Sequence, residues 1–334
     1  MADKKYMRDL YQRLKAAGFD RAFIGNCVLP EWWQDEMAEV PANRAYAETA
    51  LARQLGFPIH DLRDPQAVLS LDLERDFRLK RRKGTTLVKL LPALVLGRRL
   101  ARLIAGLCHN LPRFHGLIDA LDARKAILDQ HCYVDLPSLL EFCWSQGIIV
   151  GHLHPRNLPK ASRIFAGMAL YAGERPVILL ASKSDSPPWL AFHLAHELGH
   201  VLKGHVAPTM QALVDVQLEP GQEDPAETAA DKFAMQLLTG ETSLKFSPQP
   251  GLTARRLASA ATDWGRKHNV APGSVALIYG RTADRWGPAQ MALKHLKQTE
   301  GGQEAIRHEL LRHIEIEDAP ESTVRLVSCL SLAA

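Results

Sequence analysis

Apolar residues fall at helical spacing through most of the chain, while extended patterns are few and short. Between Trp189 and His205 (WLAFHLAHELGHVLKGH), Phe192, Ala195, Leu198, Val201 and Leu202 make one stripe, so the spacing predicts a helix. Asp185-Ser186-Pro187 supplies a cap and an early proline, and Gly204 a stop. A second helix, PAETAADKFAMQLL, follows Asp224 and ends near Gly240. Similar spacing predicts helices over Tyr6 to Ala17, Asn43 to Leu55, Leu117 to Gln130, Asp135 to Gln146, Leu252 to His268, Ala271 to Tyr279 and Ala289 to Gln298. Pro30-Glu31-Trp32-Trp33 opens a further segment, with both tryptophans as core or interface anchors. Short strands are expected at Ile148 to Gly151, Arg163 to Tyr171 and Pro176 to Ala181, the last two joined as a hairpin through Gly173-Glu174. An edge strand of such a sheet can hold an extended peptide by main-chain hydrogen bonds; which strand would do so here is left open. Pro92 should kink or break any helix around Leu90 to Gly97, and Gly301-Gly302 reads as a polar linker. The apolar tail, Ser322 to Leu332, should pack back as a strand or helix. Many helices and one small sheet give an α+β, mostly helical fold class.

The predicted helix around Leu198 carries His196-Glu197-Leu198-Gly199-His200, an H-E-x-x-H motif. Residues four apart share a helix face, so His196 and His200 can offer two imidazole nitrogens to one metal ion. Glu197 sits on the adjoining edge, placed to take a proton from an attacking water. Zinc hydrolases need a third protein ligand and one open position. Glu227 on the second helix would supply the ligand; its competing role is a capping box with Asp224. Asp231, one turn further on, would repel Glu227 without a nearby positive charge, which a Zn2+ ion would provide. It would accept the free N–H of a ligand imidazole, His196 first, and so fix the tautomer. His193 is a rival ligand, but a fourth ligand suits a closed structural site instead. For His205 the readings are a transition-state stabiliser, a product ligand, or a helix C-terminal residue favoured by the dipole. His152, His154 and Tyr171 have weaker claims. The polar stretch 206–223 between the two ligand helices would line or cover a cleft.

The residues from about Leu117 to Gly240 resemble the ImmA/IrrE family of zinc metallopeptidases. The likeness rests on HELGH (196–200), on E-x-x-A-D-x-F-A from Glu227 to Ala234, on CWSQGIIV (143–150) and on GMALYAGERPVILL (167–180). That family often carries Asn at the position of Asp231; Asp also fits a supporting role. The resemblance implies a gluzincin-like, zincin-type peptidase with one Zn2+ per chain. It also implies a protein substrate, a helix-turn-helix repressor, cleaved in a stress, phage or mobile-element response.

Composition changes this picture only locally. The 334 residues are 46% hydrophobic and 23% charged, with a formal net charge of +4, which suits a soluble globular protein and argues against a generic polyanion binder. Basic residues crowd Arg75 to Arg102 against Asp76 alone. That stretch is either a solvated connector or the footprint of a DNA or acidic-partner surface. LARQLGFPIHDL (51–62) has the look of part of a helix-turn-helix, a phrase that also occurs in bundles that never touch DNA. No run is long enough to span a membrane and the N-terminus is not a signal peptide. Five scattered cysteines without C-x-x-C point to a reducing, cytoplasmic setting and to neither a disulfide framework nor a cysteine metal site. The expected modules are a helical one (1–70), a basic connector (71–116), a peptidase core (117–245) and a helical recognition module (246–334). Two other classes share these features. One is a DNA-binding regulator with the metal site as sensor; the other is a toxin–antitoxin or defence component using the fold as scaffold.

Overall fold

The computed structural model describes residues 4–71, 77–79, 90–159, 166–208, 212–214 and 224–332. Most of the basic stretch, including Arg75, Lys80 to Lys83 and Lys89, lies outside the described residues.

The chain opens with α1 (Lys4–Ala16), α2 (Arg21–Phe23), α3 (Pro41–Leu55) and α4 (Ile59–Arg63). Strand β1 (Phe77–Leu79) comes next, then α5 (Leu91–Leu107), α6 (Ala120–Leu128), α7 (Leu136–Ser145) and β2 (Ile149–His152). A hairpin, β3 (Gly167–Ala172) and β4 (Arg175–Leu180), leads into α8 (Pro187–Leu202), β5 (Ala212–Val214) and α9 (Pro225–Thr239). Helices α10 (Ala254–His268), α11 (Pro272–Thr282), α12 (Trp286–His295), α13 (Gly302–His313) and α14 (Glu321–Val327) complete the described elements.

The strands form one mixed sheet in the order β1-β5-β3-β4-β2. The outer pairs, β1 with β5 and β2 with β4, are parallel, and the two inner pairings are antiparallel. Side chains alternate across a strand, and here the alternation divides two cores. Ile149, Met168, Leu170, Val177 and Leu179 enter a core with α1, α3, α5 and α14. Val150, Ala169, Ile178 and Leu180 enter another with α6, α7, α8 and α9. Burial on both faces explains why the hairpin reads as a continuous apolar run instead of alternating with polar residues. The first core draws on stretches expected as N-terminal module, connector and C-terminal module together. Helices α10 to α12 pack a separate small core.

Several expectations are corrected. Pro92 does not break α5: it lies in the first turn, where no intrahelical N–H is required. Ser186 is the N-cap position of α8 but makes no side-chain cap; its hydroxyl donates to the Gln298 carbonyl (2.7 Å), and the Asp185 carboxylate accepts the backbone N–H groups of Gly301 (3.0 Å) and Gln303 (2.8 Å). Gly301-Gly302 is therefore the start of α13, not a linker. No α-helix begins at Pro30; a 3-10 turn forms at Asp35–Glu39. Trp33 packs on the first core as expected, but Trp32 is 53% exposed and lies against Tyr46. Cys27 and Cys329 form a disulfide with Cα atoms 5.5 Å apart, a pairing across 302 positions that sequence spacing cannot reveal. Among the described residues no helix is long and apolar enough to cross a membrane.

One buried charge ties α6 and α9 to the C-terminal bundle. Arg124 on α6 donates to the carbonyls of Leu237 (3.1 Å) and Leu238 (2.9 Å) in α9. It also donates to those of His268 (3.3 Å) and Asn269 (2.7 Å) at the end of α10. These are carbonyls that helix ends leave without intrahelical partners. Replacing Arg124 with Met is expected to cost about 2–4 kcal/mol, since charge-assisted bonds are lost and carbonyls are left dry. Urea unfolding of the two proteins measures the difference.

Candidate metal centre

The centre is made where α8 and α9 run close together. Gly199 permits the approach: a Cβ there would meet the Ala230 Cα and the Phe233 ring at 3.2 Å. Asp224 caps α9 by accepting the Ala226 N–H at 2.8 Å. The Glu227 carboxylate faces α8. One oxygen lies 3.2 Å from His196 Nε2 and the other 3.2 Å from His200 Nε2. The two Nε2 atoms are 3.1 Å apart. Among the described residues this is the group of three that could hold a metal ion.

The spacing has a direct physical meaning. A tetrahedral ion with ligand bonds of ~2.0–2.1 Å sets its ligand atoms roughly 3.3 Å apart. The two imidazole nitrogens stand at nearly that separation and each has a Glu227 oxygen at a similar distance, so the residues fit such an ion. Two imidazoles and a carboxylate also leave one position of the tetrahedron free of protein.

The far side of each ring carries a partner that sets its tautomer. His196 Nδ1–H donates to Asp231 Oδ1 at 2.9 Å, leaving Nε2 as a lone pair facing Glu227. His200 Nδ1 lies 2.9 Å from His205 Nδ1. For His200 to present a lone pair at Nε2, its Nδ1–H must donate and His205 must accept. Burial lowers the pKa of His200, an effect opposed by the nearby Glu227 carboxylate, and the neutral form is the one that ligates. His205 therefore sits behind His200, on the side away from the other ligand atoms.

Glu197, on α8, is buried against Gly167 at the start of β3. A Cβ on Gly167 would come within 2.5 Å of its Oε1, so only glycine leaves that carboxylate its place. Neither Gly167 nor Gly199 carries a chemical signal of its own; sequence reasoning passed over both because their role is to be absent as side chains. His193 does not join the group. Its ring stacks on Trp189 at 6.4 Å and meets Phe192 edge-on, and burial lowers its pKa to about 4. His152 and His154 lie at the end of β2, outside the centre.

Beside the metal group is an apolar cavity of about 320 Å³. Trp189 and Phe192 of α8, Asp231 and Met235 of α9, and Ile278 and Trp286 of the C-terminal bundle are in its wall. Asp231 thus touches both the cavity and His196.

Residues 159–271, roughly a third of the chain, match the family described as the IrrE N-terminal-like domain, Peptidase_M78. This segment is similar to the IrrE N-terminal-like domain. The resemblance to the ImmA/IrrE family is borne out by that match, and the fold, a helical protein with a small sheet under the metal helices, agrees with it. No curated protein and no solved structure shows significant similarity to the chain.

Because Asp231 bonds the ring opposite its ligating nitrogen, Asp231→Ala is expected to weaken metal affinity by ~10–100-fold while Asp231→Asn weakens it less. Competition against a chelating dye would measure both.

Proposed function

We propose that the chain is a zinc-dependent endopeptidase acting on a specific protein. The observation that carries this reading is the convergence of His196, His200 and Glu227: the two Nε2 atoms stand 3.1 Å apart and each has a Glu227 oxygen at 3.2 Å. Bound there, the ion supplies Lewis-acid polarisation of the scissile carbonyl and of the attacking water.

The chain's own groups do the rest. His196 and His200 are held with Nε2 forward by Asp231 and His205, so the ligand set is in place before substrate arrives. In this reading His205 is a positioning residue. Glu197 takes the proton of the attacking water and returns it to the leaving amine, the two halves of general acid–base catalysis. Gly167 keeps the volume for that carboxylate. The apolar cavity at Asp231 receives a large apolar side chain of the bound polypeptide, since it combines a dry wall with direct connection to the ligand group.

The family likeness suggests a helix-turn-helix repressor as substrate, cleaved in a stress, phage or mobile-element response. The DNA-contact reading of Arg75 to Arg102 gains nothing from the described residues.

Glu197→Gln should keep its metal and lose cleavage by roughly a hundredfold or more, the usual contribution of a general base. Mapping new protein N-termini in cells carrying the wild type and then this variant would find the substrate. Equal cleavage by both proteins would remove Glu197 from the mechanism.

A further inference from the structure

A second, polar cavity of about 630 Å³ lies at the other end of α8. From Pro187 to His196 that helix rises roughly 14 Å, so the cavity is separate from the metal group. It is walled by the ends of β2 and β4, the first turn of α13 and the C-terminal turn Ser328–Leu332. The carbonyls of that last turn are anchored: Leu330 accepts the His154 N–H at 2.8 Å and Cys329 accepts the Asn157 amide at 2.7 Å.

The charges at this cavity do not cancel. Glu304 is paired with Arg307 at 2.5 Å, and Asp185, which accepts from the backbone of α13, is the one other acid against Arg156 and Lys183. Arg156 and Lys183 are exposed at the rim, and among the described residues neither has an ion pair or hydrogen bond through its side chain. Two buried polar side chains border the same space. Ser331 is only 5% exposed and its Oγ has no hydrogen-bond partner, an arrangement that costs free energy unless something binds it. His152 is 2% exposed; its Nε2–H donates to the Ser182 carbonyl at 3.2 Å, which leaves Nδ1 as an acceptor. Burial keeps that ring neutral, with a pKa lowered to about 4.

We propose that this cavity binds a small phosphorylated molecule bearing hydroxyl groups. The phosphoryl group meets Arg156 and Lys183 at the rim, which suits cations without partners of their own. A hydroxyl meets His152 Nδ1 as donor and Ser331 Oγ as acceptor or donor, satisfying both. The volume falls in the range of small-molecule sites, about 300–1,000 Å³. Sugar phosphates and mononucleotides share this chemistry. Such a ligand would touch the segment leading into α8, the helix that carries the metal ligands, without approaching them.

The test is calorimetry on the full chain with three probes: inorganic phosphate, ribose 5-phosphate and adenosine monophosphate. Ribose 5-phosphate is expected to bind, with the nucleotide matching or exceeding it and inorganic phosphate roughly tenfold weaker. The double variant Arg156→Ala with Lys183→Ala should weaken binding by roughly tenfold or more, while Lys245→Ala, at the apolar cavity, should change nothing. Both rim residues are exposed, so their loss leaves the core intact; an unchanged melting temperature without ligand would check this. Glu227→Ala should bind the probes normally, so this result stands or falls independently of the peptidase reading. No binding of any probe up to ~10 mM, or binding indifferent to the double variant, would overturn the site. Equal affinity for inorganic phosphate and ribose 5-phosphate would overturn the hydroxyl contacts.

Discussion

The close approach of α8 and α9 is the constraint on which the metal group depends. Gly199 faces Ala230 and Phe233 with no room for a side chain, and that contact sets Glu227 against both imidazoles. A carboxylate largely withdrawn from water, flanked by two neutral rings, is costly by itself. A divalent cation reverses the sign of that cost. The same logic applies to the pair Glu227 and Asp231, two acids a turn apart on one helix, which are tolerable beside a cation and its ligand imidazoles.

The sheet supplies the rigidity behind this. Its alternating side chains feed two cores, so α8 packs on a layer whose other face is held by α5 and the N-terminal helices. Arg124 and Asp185 then fasten the C-terminal bundle and α13 to the peptidase helices through backbone groups. The C-terminal tail closes the circuit, with Cys329 bonded to Cys27 and Leu330 in the first core. The two cavities lie where these attachments meet α8, one beside the metal ligands and one near the start of the helix.

What was legible in the sequence was whatever depends on local spacing. The H-E-x-x-H helix, the hairpin and the second ligand helix with Gly240 in a left-handed cap all follow from positions within a few turns of one another; the pairing of Asp231 with His196, 35 residues away, was read instead from the need of a ligand imidazole for an acceptor. What depends on distant parts of the chain was hidden. Asp185 looked like a cap for its own helix but serves α13, more than a hundred residues on. Arg124 gave no sign that it would reach two helix ends. Pro92 was misjudged because its effect depends on which turn it occupies, and the helix start could not be placed from an apolar run that continues on both sides. His205 was noticed for its position, yet only the folded chain puts its ring against His200.

The most direct test of the central claim is the zinc content of tag-free protein, measured by elemental mass spectrometry beside Glu227→Ala. Near-stoichiometric zinc in the wild type, falling sharply in the variant, is the expected result. No metal in either protein after zinc is offered at neutral pH would contradict the three-ligand centre and the peptidase reading built on it.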